Sequence, residues 1–459
     1  MSRPLAVELA EWVRRIGLGD LPSDIVRTTK QRVLDVIGLA YAGAATDFGR
    51  ATHQAVSRMS PPGPCRVVGS DLRLGVTSAA FANASCAQAL EFDDTHNESI
   101  VHMSSPSVAS ALALAQTRPL SGREAITAIA VGNEIACRVG SAASGEFHKR
   151  GLHPTGLFAP FGVTCLAGKL LDLDETGLAS AMGIVGSFAS GLLECWVDGT
   201  QAKFLHAGHA AWGGITAAEL ARSGVSGPPR VLEGRFGLFA SHLQDPDRSP
   251  DYARIREGLG IHWESRNASF KPFPAAHVLH PYIEAALGLR RTHQIEPGEI
   301  EEVRCPVPEF IVPIVCEPVA EKRAPLTTSH GRVTLQYTLA EALWRGELGR
   351  TAYDEASLRD PGILDLAARV RHEVDPSFPG PGRFRGVVEI RLKNGQSFIE
   401  VAEHTRGSRE NPMSEEELRA KFDDNTAARL SPDARDRIAG ATARLETLAD
   451  VTELADLLT

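Results

Sequence analysis

The sequence predicts a mainly α protein with an α+β part, a large all-helical domain beside a smaller α+β domain, and three observations carry that expectation. The first 240 or so of its 459 residues supply one Ala- and Gly-rich, almost uncharged helical stretch after another. The character changes near Ile261, where short strand-like pieces begin to alternate with helices, so a second domain is expected over about 265–403. Beyond it the chain returns to helical patterning.

Residues 24–42 place Ile25, Val33, Val36, Ile37 and Ala40 at three- and four-residue spacings, an amphipathic helix. Segments 77–90, 108–116, 124–143, 161–171, 175–193 and 203–221 follow. Helices apolar all round must pack on several sides, in a helical core or across an oligomer interface. A dimer interface among them is therefore expected. Strands are expected at 300–307, 386–392 and 397–402, with helices at 278–291 and 333–344 between them. The last two strands flank Lys393-Asn394-Gly395, a hairpin signal. Ser414 with Glu417 forms a capping box opening a helix over 415–422.

Composition narrows the function classes. Acidic residues number 57 against 48 basic, a formal charge of −9, and no basic stripe offers a surface to nucleic acid. No apolar run reaches the roughly 18 residues a membrane span needs. The N-terminus lacks the continuous apolar stretch of a signal peptide, so a cytoplasmic location is expected. Seven cysteines stand without a CxxC pair, which offers no zinc or iron–sulfur ligand run and reads as reduced buried thiols. Metal-free chemistry is the expectation. Only eight of the 48 basic residues are lysines, so a Lys in an apolar stretch invites a reason.

Four stretches could carry chemistry. In 87–106 (AQALEFDDTHNESIVHMSSP) a helix runs out into Glu91, Asp93 and Asp94, where the negative pole of the helix dipole disfavours carboxylates. Thr95, His96 and His102 follow; a solvated acidic helix end is the alternative. In GLHPTGLFAPFG, Pro154 keeps His153 out of helical geometry, just before a helix N-terminus that favours anions. In DGTQAKFLHAGH, Lys203, His206 and His209 fall on roughly one helix face. Two histidines without an acidic partner make a weak metal pair, so Lys203 is read as an anion-binding cation and the histidines as packing. In SFKPFPAAHVLHP, Lys271 sits in a rigid apolar segment at the domain junction, a common place for a ligand cleft. Desolvation there lowers a lysine pKa and suits it to acid–base work, unless its head reaches solvent. Together these residues suit proton abstraction beside a carboxylate, with cations holding the anion.

With RVLDVIGLAYAGA, GNEIACRVG, GSFASGLLECWVDGTQAKFLHAGHAA, FKPFPAAHVLHPYIEAAL and TRGSRENPMSEEELRAKF, these pieces run in order along nearly the whole chain. In them the sequence resembles the MmgE/PrpD family, which includes 2-methylcitrate dehydratase, cis-aconitate decarboxylase and iminodisuccinate epimerase. The resemblance implies a discontinuous all-helical domain (1–265 with 404–459), an α+β lid (266–403), a homodimer and a cofactor-free site between domain and lid. It implies catalytic roles for Glu91, Asp93, His102, His153, Lys203, Lys271 and His277, with His280 competing for the last. Substrate binding falls to Thr95, Ser104, Lys203 and Lys271, and no metal is implied. The activity implied first is a hydro-lyase of a small di- or tricarboxylate, then an epimerase or a decarboxylase. Two features depart from the family pattern. His102-Met103-Ser104-Ser105 stands where many members carry His-Pro-Ser-Ser, and 310–320 lacks a tyrosine used by the decarboxylase branch.

Overall fold

Helices lined with Ala and Gly approach one another closely, and the first half of the chain is built on that property. A computed structural model describes residues 3–245, 247–378 and 382–458; positions 1–2, 246, 379–381 and 459 of the expected domain spans lie outside them. Helix Pro154–Leu170 is the centre of the bundle, with every residue but Lys169 buried. It packs most extensively on Gly122–Ser141 and Leu205–Arg222, and the latter packs in turn on Val76–Gln88. A Cβ at Gly162 would stand 2.2 Å from the Gly132 carbonyl oxygen, so this crossing requires glycine. The all-round apolar character of these helices is used up within one chain. Composition is therefore no argument for a dimer interface.

Two large hydrophobic cores result. The first joins Leu5 through Ala268 with Phe422, Ile438, Leu445 and Leu454 of the tail. The second runs from Ala275 to Leu392. Outside it, β1 (Pro62–Arg66) pairs with β2 (Arg73–Leu74) and β3 (Thr95–His96) with β4 (Ala268–Ser269), while the second core surrounds a four-stranded sheet ordered in space β6 (Val370–Val374), β5 (Ile300–Val307), β7 (Gly386–Leu392), β8 (Ser397–Ala402). Strands β5 (Ile300–Val307), β7 (Gly386–Leu392) and β8 (Ser397–Ala402) coincide with the expected segments. The β7–β8 turn places Gly395 at φ +87°, as its hairpin signal requires. β6 (Val370–Val374) was not expected: a polar edge strand, parallel to β5, it has no apolar alternation to announce it. Helices His280–His293 and Leu335–Arg345 pack together beside the sheet. The capping box at Ser414 and Glu417 is present and opens helix Glu415–Thr426.

One expected helix stops early, and the site depends on it. Glu175–Val185 is helical, but 186–194 is not. Ser190 N–H and Leu193 N–H instead donate to the carbonyls of Gly156 (3.2 Å) and Gly151 (2.8 Å). This crossing lays 190–193 beside His153. Helix Pro154–Leu170, in turn, starts earlier than the expected 161.

Candidate active site

The site begins where helix Val76–Gln88 ends. Glu91 takes φ +52°, a left-handed conformation that a non-glycine residue keeps only when its surroundings enforce it. Buried cations supply the enforcement. Arg332 Nη1 donates to the Leu90 carbonyl (2.8 Å), Lys271 Nζ to that of Glu91 (2.9 Å) and Lys421 Nζ to that of Phe92 (2.9 Å). Arg32 Nε holds Asp94 Oδ2 at 3.0 Å. Strand β3 (Thr95–His96) then pairs antiparallel with β4 (Ala268–Ser269), which sets Lys271 next to the 91–97 turn. His102 is drawn in by its N–H, which donates to Thr155 Oγ1 (2.9 Å) at the start of helix Pro154–Leu170. The four stretches thus meet at one cavity of about 1370 Å³.

Two ammonium groups converge on one carboxylate. Lys203 Nζ is ion-paired with Glu91 Oε1, and Lys271 Nζ stands 3.7 Å from Oε2. Lys203 also lies 5.6 Å from the Trp196 ring centroid. His102 Nδ1 is 3.0 Å from Asp93 Oδ1 and 3.3 Å from Thr95 Oγ1. Ser105 Oγ donates to Asp93 Oδ2 (2.9 Å). The His102 and His153 rings are 5.6 Å apart, and His153 shares a 2.8 Å Nδ1–Nδ1 hydrogen bond with His206. Asn97 Oδ1 accepts from Ser269 Oγ and from His277 Nε2, both at 2.9 Å. His277 therefore carries its proton on Nε2 and keeps Nδ1 as a lone pair. That atom, like His153 Nε2, is buried without a protein partner.

Charge placement sets the protonation states. Burial pushes the Asp93 carboxyl up, but the His102 imidazole, with Lys271 and Lys203 behind it, outweighs burial and holds it at about 2. Glu91 is likewise lowered, because Lys203, Lys271 and His102 together exceed its burial penalty. Lys271 is brought down to about 8 by burial, with Lys203 adding to the shift and Glu91 and Asp93 opposing it. His153 and His277 lie well below the usual imidazole value through burial, reinforced by Lys203 and His206 for the first and by His280 and Lys271 for the second. Both are neutral at pH 7.

Seven of the expected residues line the cavity: Glu91, Thr95, His102, His153, Lys203, Lys271 and His277. Asp93 stands behind His102 instead. Ser104 does not reach the cavity, because its hydroxyl donates to Asp94 Oδ2 (2.6 Å) and receives from Asn133 (3.2 Å). His96 turns away to Ser99 Oγ (2.7 Å), and His280 Nε2 to the Ala275 carbonyl (3.1 Å). Lys203 lies in a 3₁₀ turn before helix Leu205–Arg222, so it does not share a helix face with His206 and His209. His209 stacks on Trp212. Among the described residues no three His, Cys, Asp or Glu form a metal-holding group. Asn97 and Trp196 also line the cavity and went unnoticed in the sequence; Asn97 lay inside the first stretch, one residue past His96.

A helical bundle and an α+β part enclosing a cavity with paired lysines, carboxylates and histidines define the class of this protein. Residues 7–251 match the MmgE/PrpD N-terminal domain and residues 273–447 the MmgE/PrpD C-terminal domain. The chain belongs to the MmgE/PrpD family. It is 29% identical to a cis-aconitate decarboxylase of Aspergillus terreus, over 99% of this chain and 96% of that protein. It is 27% identical to the cis-aconitate decarboxylase-like protein oryM of Aspergillus oryzae (99% and 97% covered) and 27% identical to the Homo sapiens cis-aconitate decarboxylase (100% and 95%). No helix among the described residues is long and apolar enough to cross a membrane.

Proposed function

We propose that the protein is a cofactor-independent lyase of a small di- or tricarboxylate, working through a carbanion next to a carboxylate. The observation that carries this reading is the convergence of Lys203 and Lys271 on Glu91 at a cavity lined by His102, His153 and His277. Substrate carboxylates compete with Glu91 for the two ammonium groups, which then stabilise the negative charge that develops. His102, held by Asp93, moves the proton. Neutral His277 offers Nδ1 as an acceptor, and His153 exchanges a proton with His206.

Full-length likeness to cis-aconitate decarboxylases supports carbon–carbon cleavage first. A substrate carboxylate leaves as carbon dioxide, its bonding electrons stay on the neighbouring carbon, and His102 protonates that carbon. Dehydration of a 2-methylcitrate-type hydroxy acid is the second reading. It is favoured by the cavity wall, where no tyrosine stands among the described residues. Epimerisation of an iminodisuccinate-type acid would use the same proton abstraction followed by reprotonation on the other face. The proposal includes a helical domain of 1–265 with 404–459, a lid of 266–403 that closes on substrate, and a cytoplasmic homodimer. Light scattering at the monomer mass of 49.2 kDa would contradict the dimer.

The test is separate incubation of chelator-dialysed protein with cis-aconitate, 2-methylcitrate and iminodisuccinate, followed by proton NMR. Turnover of one of them is expected. No turnover of any together with no binding of propane-1,2,3-tricarboxylate, or activity restored only by added iron or magnesium, contradicts the proposal.

A further inference from the structure

The cavity is much larger than the acid proposed to react in it. Its volume of about 1370 Å³ exceeds even the ~300–1,000 Å³ that encloses drug-sized ligands. A citrate-sized acid fills on the order of 200 Å³, the space of about seven waters at ~30 Å³ each. The excess room has a different character from the charged end. Its wall includes Leu192 of the crossing segment, Trp196 and Val197 of the short helix Cys195–Asp198 that follows, and Phe310, Val312 and Ile314 of the α+β part. Leu192 and Val197 are 64% and 68% exposed, large aliphatic side chains left in water on the border of the site. Such a surface gains from an apolar partner.

Charge limits what that partner can be. Glu194, Glu309, Glu317 and Glu321, close in the chain to these apolar residues, also line the cavity and repel a further carboxylate. The cations nearby are already engaged. Lys322 Nζ is buried and donates to the carbonyls of Ile314 (2.9 Å) and Val333 (3.1 Å). Lys149 and Arg150 turn to Glu146, each at 3.0 Å. The buried cations that can hold an anion are therefore Lys203 and Lys271, and the remaining space suits uncharged, apolar matter continuous with the reacting acid.

We infer that the substrate is a carboxylate bearing an uncharged alkyl or aryl extension, which lies along the wall formed by Leu192, Val197 and Phe310. The inference rests on the carboxylate reading of the charged end and names the substrate class for it. The specificity residues are then Leu192, Val197 and Phe310.

Calorimetric titration with propane-1,2,3-tricarboxylate, its hexyl-substituted derivative and its 6-aminohexyl derivative tests this. The hexyl acid should bind the parent protein at least about 30-fold tighter than the unsubstituted acid, roughly half of what full burial of six carbons would add. In the double variant Leu192→Gln, Val197→Asn, which removes the apolar wall without adding charge, that gain should fall below about threefold, with the unsubstituted acid unchanged within about twofold. A hexyl gain under threefold in the parent, a gain retained in the double variant, or an aminohexyl acid that binds more tightly than the hexyl acid overturns the inference and leaves the carboxylate reading standing. Failure of all three acids to bind overturns the carboxylate reading itself, and the inference with it.

Discussion

Two buried ionic clusters in this molecule look alike by composition and differ in what they leave unsatisfied. The first joins Glu134 and Arg138 inside the helical core. Arg138 Nε donates to Glu134 Oε1 (2.6 Å), and its two terminal nitrogens reach the carbonyls of Arg254 (3.1 Å), Glu257 (2.8 Å), Gly258 (3.2 Å) and His262 (2.5 Å). Glu134 also accepts from the N–H groups of Glu264 and Ser265, both at 3.0 Å. All five guanidinium N–H groups and both carboxylate oxygens are engaged, and neither residue lines the cavity of the site. The second cluster, Glu91 with Lys203 and Lys271, borders a cavity, contains a Lys271 that burial brings down to about 8, and stands among histidine nitrogens with no partner. A saturated buried charge ties segments together; an unsaturated one beside open space is ready to exchange partners with a ligand.

Substitutions can break this contrast, and the largest effect belongs to His102. His102→Ala should lower kcat by roughly 10²- to 10⁴-fold, the scale of general acid–base loss, while the thermal melt stays near the parent's. Near-normal turnover would make His102 a structural residue. Arg138→Met should do the reverse, costing about 3–5 kcal/mol of stability because Glu134 is left buried and uncompensated. Denaturant unfolding measures that loss, and kcat of the protein that remains folded should stay within a few-fold of the parent. A stable Arg138→Met protein with collapsed kcat would erase the distinction.

Much of the fold could be read in the sequence because it rests on local pattern. Strands Ile300–Val307, Gly386–Leu392 and Ser397–Ala402 follow alternation and the Asn-Gly turn. What escaped was decided by distant partners. The 186–194 segment is as apolar as a helix, but its N–H groups go to Gly151 and Gly156. Ser104 looked like a ligand-binding hydroxyl until Asp94 claimed it. Arg332 and Lys421, which hold the carbonyls of Leu90 and Phe92, lie more than two hundred positions away along the chain and carry no local signal. The choice between His277 and His280 rests on which ring meets Asn97 and which meets Ala275, a matter of packing that spacing does not encode.

The pH dependence sharpens the same comparison with a smaller effect. Lys271 titrates at about 8 in the folded protein against an ordinary value of 10.5, so the folded state releases this proton first. Between those values the unfolded chain holds more protons, and the stability contributed by this group rises with pH. Substrate binding moves the other way, since the ammonium that grips the carboxylate is lost above about 8. A plot of log(kcat/KM) should therefore fall above pH 8 in the parent and stay level to higher pH in Lys271→Arg. The same fall in both proteins would assign the titration to another group.

The most direct test of the open charged cluster is calorimetric titration of propane-1,2,3-tricarboxylate into the parent, Lys203→Met, Lys271→Met and Arg138→Met proteins. Each lysine variant should bind about ten- to a hundredfold more weakly, the scale of one charge-assisted hydrogen bond in a desolvated site, whereas folded Arg138→Met should match the parent. If both lysine variants bind the tricarboxylate as tightly as the parent, the two lysines are not the carboxylate site and the account is wrong.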